Sequence, residues 1–127
     1  MYNMKVKRGD QIKPLRWVGS SRIDVKSFPQ PVRSEIGQAL YAAQKGETDP
    51  AAKPLTGFGG RSVLEIVTPY DGDTWRTVYT VRLADAVYVL HAFQKKSKTG
   101  RATPKKEIDL IHKRLADAER DHQKRQN

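Results

Sequence analysis

The chain has 127 residues, no cysteine, and 24 Lys and Arg against 14 Asp and Glu, so its formal net charge is +10. This length predicts one domain over residues 1–127, because a second domain would lack the residues for its own core. Without cysteine there are no disulfides or thiolate ligands, and we expect neither a metal nor a cofactor. No apolar run approaches the ~18 residues of a membrane span, and the basic start is not followed by the apolar segment of a secretion signal. A cytoplasmic protein is therefore expected.

Positive charge is concentrated at the two ends of the chain. Residues 1–26 carry seven Lys or Arg and two acids, residues 27–93 carry six and seven, and residues 94–127 carry eleven and five. The densest run, residues 95–106, has six positive charges and no acid. Such a field favours a polyanion, either nucleic acid or an acidic protein partner, although basic tails can also serve solubility alone.

The first half of the chain predicts one strand and one helix. Residues 1–12 form a polar lead-in, and Leu15 to Val18 is a short apolar stretch typical of a strand. Residues 24–31 are rich in turn formers. Apolar side chains at helical spacing then predict a helix over residues 31–45, with proline in its first turn and Gly46 directly after it. Residues 47–60 contain several Pro and Gly and predict a loop.

The second half predicts a three-stranded meander. Strand-like runs cover residues 63–68, 74–83 and 86–93, and Asp71-Gly72 predicts a tight turn between the first two. Because the connections are short, neighbouring strands must be antiparallel.

A closing helix follows the basic run. Thr103 before Pro104 is typical of a helix start, and an apolar stripe predicts a helix over residues 104–122. Residues 123–127 are expected to fray. The predicted fold class is α+β, a small antiparallel meander packed against a helix from the N-terminal half and a closing C-terminal helix.

Candidate chemistry centres on positive charge presented from the sheet, since no phosphate loop or familiar catalytic motif is present. Alternation along the middle strand puts Arg76 and Arg82 on one face. An arginine held there can grip a phosphate with two parallel hydrogen bonds, or it can simply solvate the sheet.

Lys95 and Lys96 are predicted to follow the last strand directly, and Lys98 and Arg101 extend the cluster. For RNA, the reaction that needs least machinery is attack of a 2′-hydroxyl on its neighbouring phosphate, and cations can stabilise its transition state without a metal. A lysine beside another positive charge can also act as the base. The doublet is equally compatible with nonspecific attraction of phosphate.

Two further groups could transfer protons. His91 has the strand parity of Val87 and Val89, which favours a structural histidine at the core, although a general acid or base is possible. Glu65 is the only acid of the first meander strand, and it can pair with Arg76 or Arg82 or accept a proton.

Two motifs resemble a known family. Residues 76–81 (Arg-Thr-Val-Tyr-Thr-Val) resemble the Arg-x-Val-Tyr strand of RelE-superfamily toxins. Residues 91–99 (His-Ala-Phe-Gln-Lys-Lys-Ser-Lys-Thr), followed by Ala-Thr-Pro-Lys-Lys-Glu-Ile at residues 102–108, resemble the phage-derived HigB-type branch. The resemblance covers about residues 13–118.

The resemblance implies a RelE-like fold and the toxin of a type II toxin–antitoxin pair, an endoribonuclease that cleaves mRNA on the ribosome. Its expected partners are a cognate antitoxin, often a helix-turn-helix protein, together with ribosome and mRNA, and no membrane. By motif position the phosphate-stabilising arginine falls on Arg76, and the basic residues after the last strand fall on Lys95 and Lys96. The candidate catalytic residues are Arg76, Lys95, Lys96 and His91, and the candidate RNA-binding residues are Lys53, Arg61, Arg82, Lys98 and Arg101.

Two other classes of function stay open. A toxin of the ParE kind blocks gyrase without nuclease chemistry, and the basic residues at the predicted site weigh against it. A basic adaptor would bind nucleic acid or a phage protein without catalysis.

Overall fold

A computed structural model describes residues 12–96 and 102–127. These residues form one five-stranded sheet with three helices, which confirms the α+β class. The elements are β1 (Leu15–Trp17), α1 (Ser21–Lys26), α2 (Gln30–Gln44), β2 (Ala52–Pro54), β3 (Val63–Tyr70), β4 (Asp73–Thr80), β5 (Val87–Lys95) and α3 (Lys105–Gln126). The strand order is β1-β5-β4-β3-β2.

The antiparallel meander β3-β4-β5 is present as predicted. Asp71 and Gly72 both have positive φ, 53° and 85°, the backbone that joins two strands through a two-residue turn. The predicted C-terminal end of the middle strand, placed at residue 83 of the range 74–83, is wrong. The backbone N–H of Arg82 donates to the Thr80 hydroxyl at 3.0 Å, so the chain turns there and β4 ends at Thr80.

Two edge strands extend the sheet beyond the predicted meander. β1 pairs with β5 in parallel, and β2 pairs with β3 within residues 47–60, which were predicted to be a loop. Pro54 can belong to β2 because an edge strand needs backbone donors on one side only. The short helix α1 overlaps the region predicted as turns.

Both faces of the sheet are buried. One face packs against α1 and α2, and the other packs against α3; we call them the α2 face and the α3 face. Successive residues of a strand alternate between the faces, so Leu64 and Tyr79 join the α2-face core while Val63 and Val78 join the α3-face core. Full burial of each large apolar side chain contributes about 1.5–3 kcal/mol, and both helix layers therefore hold the sheet.

A β-bulge in β5 changes the alternation. Val78 is opposite His91, but the next residue, Tyr79, is opposite Val89, so Leu90 is an extra residue in β5. His91 therefore lies on the α3 face, whereas Val87 and Val89 belong to the α2-face core. The predicted shared parity of these residues is wrong, because a bulge leaves no signal in simple alternation.

The C-terminal end of α2 agrees with the prediction from the sequence, whereas that of α3 differs from it. Gly46, with a φ of 84°, follows α2 as predicted. The tail predicted to fray, residues 123–127, is helical through Gln126. Two contacts hold it, since Arg125 donates to Asp121 at 2.7 Å and Gln126 donates to Asp85 at 2.9 Å. Of the predicted lead-in, residues 1–11 lie outside the described residues.

Within the described ranges, none of the helices is long and apolar enough to cross a membrane.

Tyr79 makes the stability of the fold sensitive to alkaline pH. It is 1% exposed, and burial raises its pKa from 10.0 to about 12. A raised pKa in the folded state adds stability that is complete below pH 10 and is lost as the pH rises toward 12, by up to about 3 kcal/mol. We expect Tyr79→Phe to reduce this alkaline loss, measured by urea unfolding at several pH values. The matched variant Tyr70→Phe, at an exposed tyrosine, should leave the loss unchanged, and equal losses in wild type and Tyr79→Phe would contradict the assignment.

Candidate catalytic cleft and nucleic-acid interface

A cleft of about 770 Å³ opens on the α3 face at the end of the sheet where β3 meets β4. Strands β2, β3 and β4 form its floor, and the segment that leads into α3 forms a wall. Lys53 is opposite Glu65 in the strand register, and both line the cleft together with Arg76. Thr103 lines it from the wall. The cleft therefore brings two cations and one carboxylate together with the hydroxyl groups of Thr56, Thr74 and Thr103.

Arg76 and Glu65 form a buried ion pair at this cleft. Arg76 Nη1 donates to Glu65 Oε1 at 3.1 Å, and each residue is 6% exposed. The two residues are diagonal neighbours on adjacent strands, because Arg76 is opposite Val67, two positions from Glu65. Of the alternatives that the sequence leaves open, the structure shows Glu65 paired with Arg76, and Arg76 is not an exposed arginine that solvates the sheet.

Thr103 completes the arrangement. Its hydroxyl donates to Glu65 Oε2 at 2.6 Å, so both carboxylate oxygens accept a hydrogen bond. The sequence suggests that Thr103 starts α3, but the residue before the helix is Pro104, and no side chain caps it. Thr103 instead ties the start of α3 to the sheet. A Thr-Pro pair reads as a local helix start, and nothing in the sequence indicates a partner 38 residues away.

The lysine doublet lies at the end of β5. Lys95 is the last residue of the strand rather than the first residue after it, and its position opposite Thr74 puts it on the α3 face beside the cleft. Lys96 follows the strand and is exposed. Lys98 and Arg101 lie outside the described residues.

His91 is buried and fully engaged. Its Nε2 lies 2.7 Å from Glu107 Oε1, its Nδ1 lies 3.3 Å from Arg114 Nη1, and its ring stacks on Phe93. Because a guanidinium can only donate, Nδ1 accepts, and we assign the ring proton to Nε2, which donates to Glu107. No ring nitrogen remains for a substrate. This geometry favours the structural reading of His91 over the predicted catalytic one.

Arg114 joins three elements behind His91, and sequence reasoning missed it together with Glu107. It donates to the Leu90 carbonyl at 3.1 Å and to the Ser20 hydroxyl at 3.2 Å. A Cβ on Gly19 would lie 2.8 Å from Arg114 Cζ and would displace the guanidinium, and the φ of 56° at this turn also favours glycine. In the sequence, Glu107 and Arg114 look like ordinary charged residues of a helix. Their contact with His91 depends on the bulge in β5, which the sequence pattern does not predict.

The remaining predicted RNA-binding residues lie apart from the cleft. Arg82 donates to the Phe58 carbonyl at 3.0 Å and to the Ser62 hydroxyl at 3.2 Å, which ties the loop before β3 to the end of β4. Arg61 lines a separate cavity with Tyr79 and Val81. Of the predicted set, the structure brings Lys53, Arg76 and Lys95 to the cleft end of the α3 face. Arg82, by contrast, contacts Glu119 of α3 at the other end of the strands.

In residues 12–96 and 102–127, no group of His, Asp and Glu side chains is arranged to hold a metal ion.

The fold and the cleft define a small basic α+β protein with a charged cleft beside a lysine-rich segment. The family model described as "Phage derived protein Gp49-like (DUF891)" matches residues 24–116, and the chain belongs to this family. The predicted resemblance to a phage-derived family is thereby confirmed.

Comparisons with curated sequences and with solved structures add little to this family assignment. No curated protein matches the chain in sequence. Among solved structures, a chain of the toxin–antitoxin complex RelBE2 from Mycobacterium tuberculosis is similar, with 15% identity and a TM-score of 0.45, over 68% of this chain and 94% of that chain. A likeness at this level does not extend that protein's activity or partner to this chain.

The ion pair predicts a strong energetic coupling. Glu65→Leu leaves a buried guanidinium without its carboxylate and should lower the free energy of unfolding by about 3–5 kcal/mol. The double variant Glu65→Leu/Arg76→Met removes both charges and should be more stable than Glu65→Leu alone. Urea unfolding of the single and double variants measures the coupling.

The exposed pair Lys105–Asp109, 2.8 Å apart on α3, provides the matched control, and Asp109→Ala should cost less than about 1 kcal/mol. Additive losses from Glu65→Leu and Arg76→Met would contradict the coupling.

Proposed function

We propose that this chain is the toxin of a type II toxin–antitoxin pair, of the HigB type, and that it cleaves mRNA on the translating ribosome. The observation that carries the proposal is the cleft: Lys53 and Arg76 line it, and Lys95 lies beside it on the same face of a chain whose net charge is +10. The motifs at residues 76–81 and 91–99 and the membership of a phage-derived family support it.

The proposed reaction is attack of a ribose 2′-hydroxyl on the adjacent phosphate, with release of the 5′-oxygen of the next nucleotide. Negative charge builds on the phosphate oxygens in the transition state, and a guanidinium fixed beforehand stabilises that charge without reorganising. Glu65 holds Arg76 in one orientation at 3.1 Å, in a place largely closed to water. Arg76 is therefore the proposed electrostatic catalyst.

The lysines are proposed to position the RNA and to share in the stabilisation. Lys53 and Lys95 flank Arg76 on the same face, and Lys96 is exposed at the end of β5. Exposed lysines can contact successive phosphates, and binding through them should weaken as salt rises. Lys98 and Arg101 continue the basic run in sequence and are proposed to bind RNA in the same way.

Arg61 and Arg82 have a different proposed role. They lie near the other end of β3 and β4 from the cleft, where Val63 is opposite Thr80. We assign them to flanking RNA or to the ribosome and not to the phosphate that is cut.

The proposed partner in the resting cell is a cognate antitoxin, expected to be a helix-turn-helix protein with an acidic or amphipathic segment. A chain with a net charge of +10 is attracted to every nucleic acid in the cell, so a partner must cover its basic surface to keep it inactive.

Substitution of Arg76 tests the proposal directly. One well-placed electrostatic contact is worth roughly 3–4 kcal/mol in the transition state, so Arg76→Ala should slow cleavage about a hundred-fold or more. Arg76→Lys keeps the charge but loses the planar fork and should give an intermediate rate. The measurement is single-turnover cleavage of translated mRNA at saturating ribosomes, read by primer extension.

Thermal unfolding of each variant establishes that it is folded at the assay temperature. Arg120→Ala is the matched control, because Arg120 lies in the C-terminal half of α3 and does not line the cleft. Equal rate constants for wild type and Arg76→Ala would remove Arg76 from the site. The absence of any cut by wild type would contradict the nuclease, and inhibition of gyrase supercoiling would then identify the ParE-like alternative.

A further inference from the structure

Strand β1 leaves one backbone edge open in the described part of the chain, since it is the outer strand of the sheet and pairs only with β5. The Pro14 carbonyl accepts from Val87 N–H at 3.0 Å, and Val18 N–H donates to the Val89 carbonyl at 2.9 Å. Alternation along the strand therefore turns the backbone groups of Leu15 and Trp17 away from β5. An open strand edge of this kind is a template for another strand.

A groove of about 600 Å³ lies beside this edge, between β1, the start of α1 and the C-terminal half of α3. Arg16 is opposite Tyr88 in the register, so its side chain lies on the α3 face and lines the groove. The acids of the groove already have cations. Asp121 accepts from Arg125 and from the Tyr88 hydroxyl, each at 2.7 Å, and Asp117 is paired with Arg120.

The hydrogen bond from Arg125 chiefly lowers the pKa of Asp121, and the charge of Arg16 adds a smaller effect. In the part of the chain that the structure describes, however, Arg16 and Arg22 have no carboxylate within hydrogen-bond distance. Among the described residues, neither Arg16 nor Arg22 forms a hydrogen bond or an ion pair through its guanidinium, and Arg16 Nε is buried without an acceptor. A buried donor without an acceptor is costly, and a carboxylate is the acceptor that compensates it best. The charge of the groove therefore favours an acidic occupant.

The other side of the same edge is apolar. Leu15 and Trp17 alternate with Arg16, and both pack partly buried against the α2-face core. Apolar side chains of an added strand would extend this patch.

We propose that the β1 edge and its groove bind an extended acidic segment of a partner protein, which adds as a strand next to β1. The residue of that segment beside Arg16 is Asp or Glu, and its two neighbours, beside Leu15 and Trp17, are apolar. Cross-strand neighbours on one face interact directly, so an apolar–acidic–apolar pattern fits this edge. The site is separate from the cleft, and the inference does not depend on the proposed nuclease.

Two capped peptides test the site by NMR with the ¹⁵N-labelled full chain. One is Ser-Thr-Val-Glu-Val-Thr-Ser, and the other has Lys in place of Glu. We expect the Glu peptide to shift the amide signals of Leu15 and Trp17 and to bind about tenfold more tightly than the Lys peptide. Arg16→Glu should reverse this preference, and Arg16→Gln should abolish it.

Lys26→Glu is the matched control, because it makes the same charge change at the end of α1 outside the groove. It should keep the preference of the wild type. Three results would overturn the proposal: no binding at millimolar peptide, shifts centred on Lys53 and Lys95 instead of β1, or an unchanged preference in both Arg16 variants. None of them bears on mRNA cleavage, which is measured separately.

Discussion

The ion pair between Arg76 and Glu65 is the interaction on which the cleft depends. A guanidinium that is 6% exposed must have a carboxylate beside it, because burial of an unpaired charge would cost several kcal/mol. Glu65 supplies that carboxylate, and its second oxygen accepts a hydrogen bond from Thr103. This bond fixes the start of α3 against the sheet. One carboxylate thus sets both the direction of the cationic group and the position of the wall beside it.

A second set of contacts fixes the middle of α3 against the sheet. The bulge at Leu90 turns His91 toward the helix, where Glu107 and Arg114 bind its two ring nitrogens. Arg114 also contacts the turn after β1, where Gly19 leaves room for the guanidinium. Helix α3 therefore lines the cleft with one end and the groove with the other. Buried polar contacts and the apolar core together hold this helix in place.

Local sequence patterns predict many elements of this structure, but they do not predict the contacts between residues that are far apart in sequence. The turn at Asp71-Gly72, the apolar stripe of α2 and the α+β class follow from spacing alone. The parallel pairing of β1 with β5 and the partners of Thr103 and His91 could not be predicted, because each joins residues far apart in sequence. For the candidate site, sequence reasoning named Arg76, Lys53 and Lys95, which the structure places near one another. It also grouped Arg61 and Arg82 with them, because charge alone does not reveal which end of a strand a residue occupies.

The central claim is that this cleft cleaves RNA through the 2′-hydroxyl next to the cut, and removal of that one oxygen tests it most directly. The measurement compares two mRNAs on translating ribosomes, one all-ribose and one with a single 2′-deoxynucleotide at the mapped cleavage position. The account predicts that the ribose mRNA is cut to leave a 2′,3′-cyclic or 3′-phosphate end, and that the deoxy mRNA stays intact at that position. Equal cleavage of the two mRNAs would contradict the claim.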